Sequence, residues 1–120
     1  MSVETVKGER RCHLRWRVWG VHGRIAPDHE VSLLDISQGG GLIEHAHPVR
    51  PGTILFVTLS NHEQQTSVKC RVVRSVTQRY EVWPTGEQEH FYRTGLEFLV
   101  LSENSQWLIN EIIVAAIGGR

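Results

Sequence analysis

Apolar and polar side chains alternate in short runs through most of the first hundred residues, at the two-residue period of a β-strand. Leu14, Trp16 and Val18 fall on one side of an extended chain and Arg15 and Arg17 on the other, which predicts a half-buried strand. Residues 20–28, with Gly23 and Pro27, read as a turn or loop. A second strand is expected over 30–37, a glycine turn over 38–41, and a third strand over 41–45. Pro48, Pro51 and Gly52 mark a turn, followed by a β-rich run over 53–59 that Asn61 and His62 close. Alternation returns over 68–76 through Val68, Cys70 and Val72. Residues 78–90, which hold Pro84 and Gly86, read as an extended hairpin connection. The last strand is expected over 91–100, with Leu96, Phe98 and Val100 facing inward.

After Ser102 the period changes. Ser102 is a good N-cap and Glu103 stands in the first turn. Trp107, Leu108, Ile112, Ala115 and Ala116 recur at helical spacing, and Gly118 with Gly119 ends the run. About six strands and one C-terminal helix predict an all-β barrel or sandwich with the helix over one open end.

At 120 residues the chain supports one domain that buries roughly two-thirds of its unfolded surface. Apolar content of 40% and charged content of 22% are ordinary for a globular protein. The two cysteines, Cys12 and Cys70, are too few for a disulfide framework, and no secretory segment is evident. A cytoplasmic protein with reduced thiols is expected. No apolar run reaches the ~18–20 residues of a membrane span.

Net charge is zero, which predicts no general attraction to nucleic acid. Its distribution is uneven. Residues 1–25 hold Lys7, Arg10, Arg11, Arg15, Arg17 and Arg24 against Glu4 and Glu9. A basic entrance on a neutral body suits a small anion better than a long polyanion.

Two constellations carry candidate chemistry. Arg11-Cys12-His13-Leu14-Arg15 has R-x-x-x-R spacing, and Asp35-Ile36-Ser37-Gln38-Gly39-Gly40 has D-x-S-x-x-G spacing at a strand end. Each alone is a weak signal. The arginine pair in isolation is more often a solvated basic face, and Asp with Ser at a strand end more often bonds nearby backbone. Their order and separation, followed by Tyr92-Arg93-Thr94-Gly95-Leu96-Glu97-Phe98 and a final helix, are far more specific.

In these segments the sequence resembles the PilZ domain family, over residues 9–117. Residues 1–8 lack periodicity and read as a flexible lead. The resemblance implies a six-stranded antiparallel β-barrel with a C-terminal α-helix. It also implies a receptor for cyclic di-GMP, often bound as a mutually intercalated dimer of ligand molecules. No position of the two motifs is altered, which favours a competent receptor.

The chemistry of the residues agrees. Cyclic di-GMP presents two singly charged phosphates and two guanines. Arginine makes bidentate bonds to phosphate oxygens or to the guanine O6/N7 edge, and its plane stacks on purines. On an extended backbone Arg11 and Arg15 share a face, with Arg10 in a supporting role. Asp35 is placed to accept from guanine N1–H and N2–H, and Ser37 to bond the ligand or pin the loop. Gly39, Gly40 and Gly41 permit positive φ and close approach of backbone N–H groups. Arg74, where a strand leaves the rim, is a lesser candidate contact.

His45 and His47 invite a metal reading, but no third ligand follows with convincing spacing, so no metal is expected. Cys12 between arginines is a candidate reactive thiol without a catalytic partner arrangement. Trp16, Trp19, Trp83 and Trp107 read as core or rim residues, with Trp83 a weaker candidate for anchoring a partner. There is no Walker-type loop and no paired carboxylate set, so neither catalysis nor a cofactor is expected. The expected partners are cyclic di-GMP and an unidentified effector protein, without DNA or RNA. Two rivals stand beside this reading: an adaptor of the same fold that binds no nucleotide, and a small barrel binding single strands through aromatic platforms.

Overall fold

A computed structural model describes residues 14–25, 29–61 and 64–118. Among these residues seven strands precede one helix: β1 (Trp16–Arg17), β2 (His22–Ile25), β3 (His29–Ile36), β4 (Gly40–His45), β5 (Ile54–Asn61), β6 (Gln64–Val82) and β7 (Gln88–Phe98), then α1 (Glu103–Gly118). Every pairing is antiparallel, and β3 to β2, β5, β6, β7, β4 and back to β3 closes a ring of six strands.

β1 lies outside that ring, beside the C-terminal half of β3, while β2 pairs the N-terminal half. The two behave as one strand interrupted at residues 18–21. Gly20 takes φ 76° there, and Val18 N–H donates to Leu34 O while Leu33 N–H donates to Val21 O. The expected loop over 20–28 therefore contains a strand. Its sequence, HGRI, has no apolar alternation, and it is extended because β3 and β5 flank it on both sides. A Cβ on Gly23 would stand 2.6 Å from Thr58 O, so the tight fit between strands accepts only glycine.

The interior is lined by Val31, Leu33, Ile36, Ile43, Val57, Leu59, Val68, Cys70, Val72, Leu96 and Phe98. α1 seats Leu108, Ile109, Ile112 and Ile113 on this core. Ser102 caps it as expected, its Oγ accepting from Ser105 N–H at 3.0 Å. Ser105 is buried, and its Oγ bonds Thr66 Oγ1 at 2.9 Å. Trp107 and Ala115, expected inward, are exposed instead, because the buried stripe is 108/109/112/113. Val100 and Leu14 are likewise exposed, lying beyond the ends of β7 and β1. Trp19 and Trp83 are also exposed, whereas Trp16 packs on the core.

The expected connection over 78–90 is mostly strand. β6 and β7 stay paired out to Val82 and Gln88, and turn through Trp83 N–H to Glu87 O and Gly86 N–H to Trp83 O, both 2.8 Å. Register shifts at Val73 and Gln78 break the two-residue period, which is why alternation fails to reveal the length of this hairpin.

Candidate functional site

The site is built from the end of β3, the turn after it, and the residues entering β1. β1 sets Arg17 opposite Asp35, so Arg15, two residues earlier, lies on the same face past the end of β3. Arg15 Nη1 reaches both carboxylate oxygens of Asp35 at 3.4 Å. The side chains are 33% and 18% exposed respectively, so the pair stands at the surface with its charges hydrated on one side. Arg15 of the N-terminal motif and Asp35 of the turn motif thus meet on one face. Arg10 and Arg11 lie outside the described residues, as do Cys12 and the lead.

Asp35 belongs to a row that crosses four strand ladders. Arg17 pairs with Asp35, Asp35 with Leu42, Leu42 with Gly95, and Gly95 with Arg74. Directly opposite residues in an antiparallel sheet point to the same face. Here it is the outer face, since the next residues along, Ile36, Gly41, Ile43 and Leu96, are buried. Asp35 and Arg74 are three ladders apart, roughly 15 Å at most. Between them Leu42 contributes an apolar side chain and Gly95 none; a Cβ on Gly95 would meet only Arg74 Cγ, at 3.8 Å. The result is an open shelf bounded by Arg15, Arg17 and Asp35 at one side and Arg74 at the other. Arg74 is exposed and has no ion pair among the described residues. The placement of Gly95, Leu42 and Arg17 in this row is not readable from local pattern. The available signal was a lone glycine inside an otherwise good strand.

The turn itself is pinned from within. Ser37 N–H donates to Gly40 O at 2.8 Å. Ser37 Oγ accepts from Gly39 N–H at 3.1 Å and Gly40 N–H at 3.2 Å, and lies 3.3 Å from Gly40 O. Ser37 is buried and holds the loop, one of its two expected roles. The glycine expectation needs correcting. Gly40 and Gly41 lie outside the left-handed region, and the Gly39 and Gly40 amides are taken by Ser37. Gly40 is glycine because a Cβ would collide with Leu96 O of β7, and Gly41 because one would stand 3.0 Å from Asp35 O. Closing the ring brings these backbones too near for side chains.

Beside the turn, Gln38 Nε2 donates to Asn110 Oδ1 of α1 at 3.1 Å. Gln38, Leu101, Gln106, Ile109 and Asn110 line a shallow groove of about 240 Å³ there. The charged row lies on the open outer face, apart from this groove.

Among the described residues, which leave out His13 and His62, no group of three or more His, Cys, Asp or Glu is placed to hold an ion. His45 is buried on the inner face, its Nε2 2.6 Å from Thr94 Oγ1, which also lies 2.7 Å from Ser75 Oγ. Burial lowers its pKa, partly offset by a backbone bond at His47. The His29 and His47 rings lie with centroids 3.7 Å apart, tilted by 40° to one another. Cys70 is fully buried, and desolvation pushes its thiol up to about 12. No helix of the described residues is long and apolar enough to cross a membrane.

The PilZ domain family profile matches residues 9–115. The chain belongs to the PilZ domain family. Among solved structures, the PilZ domain of YcgR from Escherichia coli, determined with c-di-GMP, superposes with TM-score 0.67 at 16% identity. The match covers 91% of this chain and 92% of that one. The complex of K. pneumonia MrkH with c-di-GMP gives 0.68 at 18% identity, covering 91% of this PilZ chain and 53% of MrkH. MrkH in its apo state gives 0.64 at 19%. This PilZ domain therefore spans about half of MrkH. At such identities the likeness speaks for the fold. No curated protein matches the chain by sequence.

Proposed function

We propose that this PilZ domain is a receptor for cyclic di-GMP, bound on the outer face of the ring. The observation that carries the reading is the convergence of the two motifs at the Arg15–Asp35 pair. Beside it lies an arginine-bounded shelf floored by Gly95. A guanine edge offers paired N–H donors to Asp35, and guanidinium groups meet phosphates and the O6/N7 edge. Arg15 already rests on Asp35, so it is held near the place where ligand would engage both. Arg10 and Arg11 close over the ligand from the N-terminal side, with Arg74 as the far contact. The likeness to the YcgR PilZ domain and to MrkH, both determined with c-di-GMP, supports this assignment.

In this proposal the domain is a binding module of the cytoplasm rather than an enzyme. Ligand draws residues 8–15 across the site, and the surface so formed is offered to an effector protein. Calorimetric titration with cyclic di-GMP tests the core of it and reads stoichiometry, one ligand or an intercalated pair. Arg11→Ala and Asp35→Ala are each expected to weaken binding by more than about tenfold, the loss of one contact of roughly 1–3 kcal/mol. Absence of binding by the wild-type chain supports the nucleotide-independent adaptor instead. The switch is tested by NMR amide dynamics of residues 1–12, which should tighten on addition of ligand and would refute it by staying unchanged.

A further inference from the structure

β6 is 19 residues long and its neighbours do not cover all of it. β5 pairs with Gln64–Arg71, and β7 with Cys70–Val82. Val72 is tied to the 50–53 turn through Gly52 N–H to Val72 O and Val72 N–H to Thr53 O. From Arg74 to Val82 the other edge of β6 carries no strand among the described residues. Such an edge presents free N–H and C=O groups as a template for another strand. Natural edges are commonly blunted by proline, lysine or bulges. This stretch has neither proline nor lysine; it carries the irregularities at Val73 and Gln78 and the charged Arg74, Arg79 and Glu81, and it exposes Val76, Tyr80 and Val82.

We infer that this edge is where a second copy of the chain pairs, β6 against β6, antiparallel about a twofold axis. The occupant is chosen by charge. Arg74, Val76, Arg79 and Glu81 face outward, opposite Gly95, Arg93, Phe91 and Glu89, whereas Ser75, Thr77, Tyr80 and Val82 face the other way. A twofold pairing must set outward residues against outward ones. Three central registers do so. One opposes Arg74 to Arg79 and sets like charges together. One opposes Val76 to Glu81 and leaves both charges without a mate. The third opposes Arg74 to Glu81 twice, with Val76 against the Arg79 stem and Ser75 against Tyr80. Arg74 is without an ion pair among the described residues, and Glu81 is half exposed, with Arg79 at 3.7 Å. Arg79 keeps its 2.9 Å bond to Glu44 in any case. The strand is self-complementary in that register.

The contact is smaller than a standard interface of roughly 1,600 Å², so a weak, reversible dimer is expected. Sedimentation equilibrium of the full chain without nucleotide should show monomer passing to dimer as concentration rises toward ~1 mM. Glu81→Arg should weaken the dimer about tenfold or more, since two like-charge pairs replace two opposite ones. Arg74→Glu combined with Glu81→Arg should restore it, which also shows that the altered strand still folds. A wild-type chain that stays monomeric, a dimer indifferent to Glu81→Arg, or failure of the folded double variant to recover would overturn the assignment.

Discussion

At the scale of single residues, the D-x-S-x-x-G segment divides its labour. Asp35 faces outward to Arg15, while Ser37, Gly40 and Gly41 serve the fold. Gly40→Val is therefore expected to abolish folding rather than selectively weaken ligand, because its side chain would overlap Leu96 O; loss of the β signature in circular dichroism checks this. Cys70 offers the converse case. With a thiol pushed up to about 12 and no exposure, it should stay unreactive to a thiol reagent until the chain is unfolded by denaturant. His45 supplies a pH dependence. Burial makes it harder to protonate in the folded chain than in the unfolded one, where a histidine has its ordinary pKa of 6.5. The unfolded state then binds more protons in acid, so this contribution to stability is full above about pH 6.5 and declines as pH falls below it. Urea midpoints should drop between pH 7.5 and 5.5, and His45→Asn should flatten that part of the curve.

At the scale of elements, the helix and the hairpin show opposite degrees of local control. α1 announces itself by its cap and its spacing, and Ser102→Ala should cost about 1 kcal/mol, read from the denaturant midpoint at unchanged slope. Which stripe of α1 is buried was less legible: Trp107 fits the helical period but lies on the far side from Ile109 and Ile112. β2 is the reverse case, since HGRI carries no strand pattern and is extended only because β3 and β5 bracket it. The β6–β7 hairpin is hidden by its own irregularities, two register shifts that reset which residues face out.

At the scale of the whole molecule, the ring is closed by residues from β2 onward, and β1 is laid against it from outside. A chain beginning at Leu14, lacking Arg10 and Arg11, should therefore keep its melting temperature within a few degrees. It should lose cyclic di-GMP affinity by more than about tenfold, as for the loss of even one arginine contact. A large fall in melting temperature would instead assign the N-terminal segment to the fold.

Sequence alone determined the strand-rich class, the C-terminal helix, the family resemblance, and the two motifs whose members Arg15 and Asp35 stand in contact. These are local or short-range properties: period, capping, and residue types at fixed spacing. Tertiary structure decided that Ser37 looks inward, that Gly40 and Gly41 leave no room for a side chain beside the neighbouring strands, and that Gly95, Leu42 and Arg74 share a row with Asp35. Those facts depend on register between strands distant in sequence, and register is set by closing the ring as a whole, which no single segment encodes.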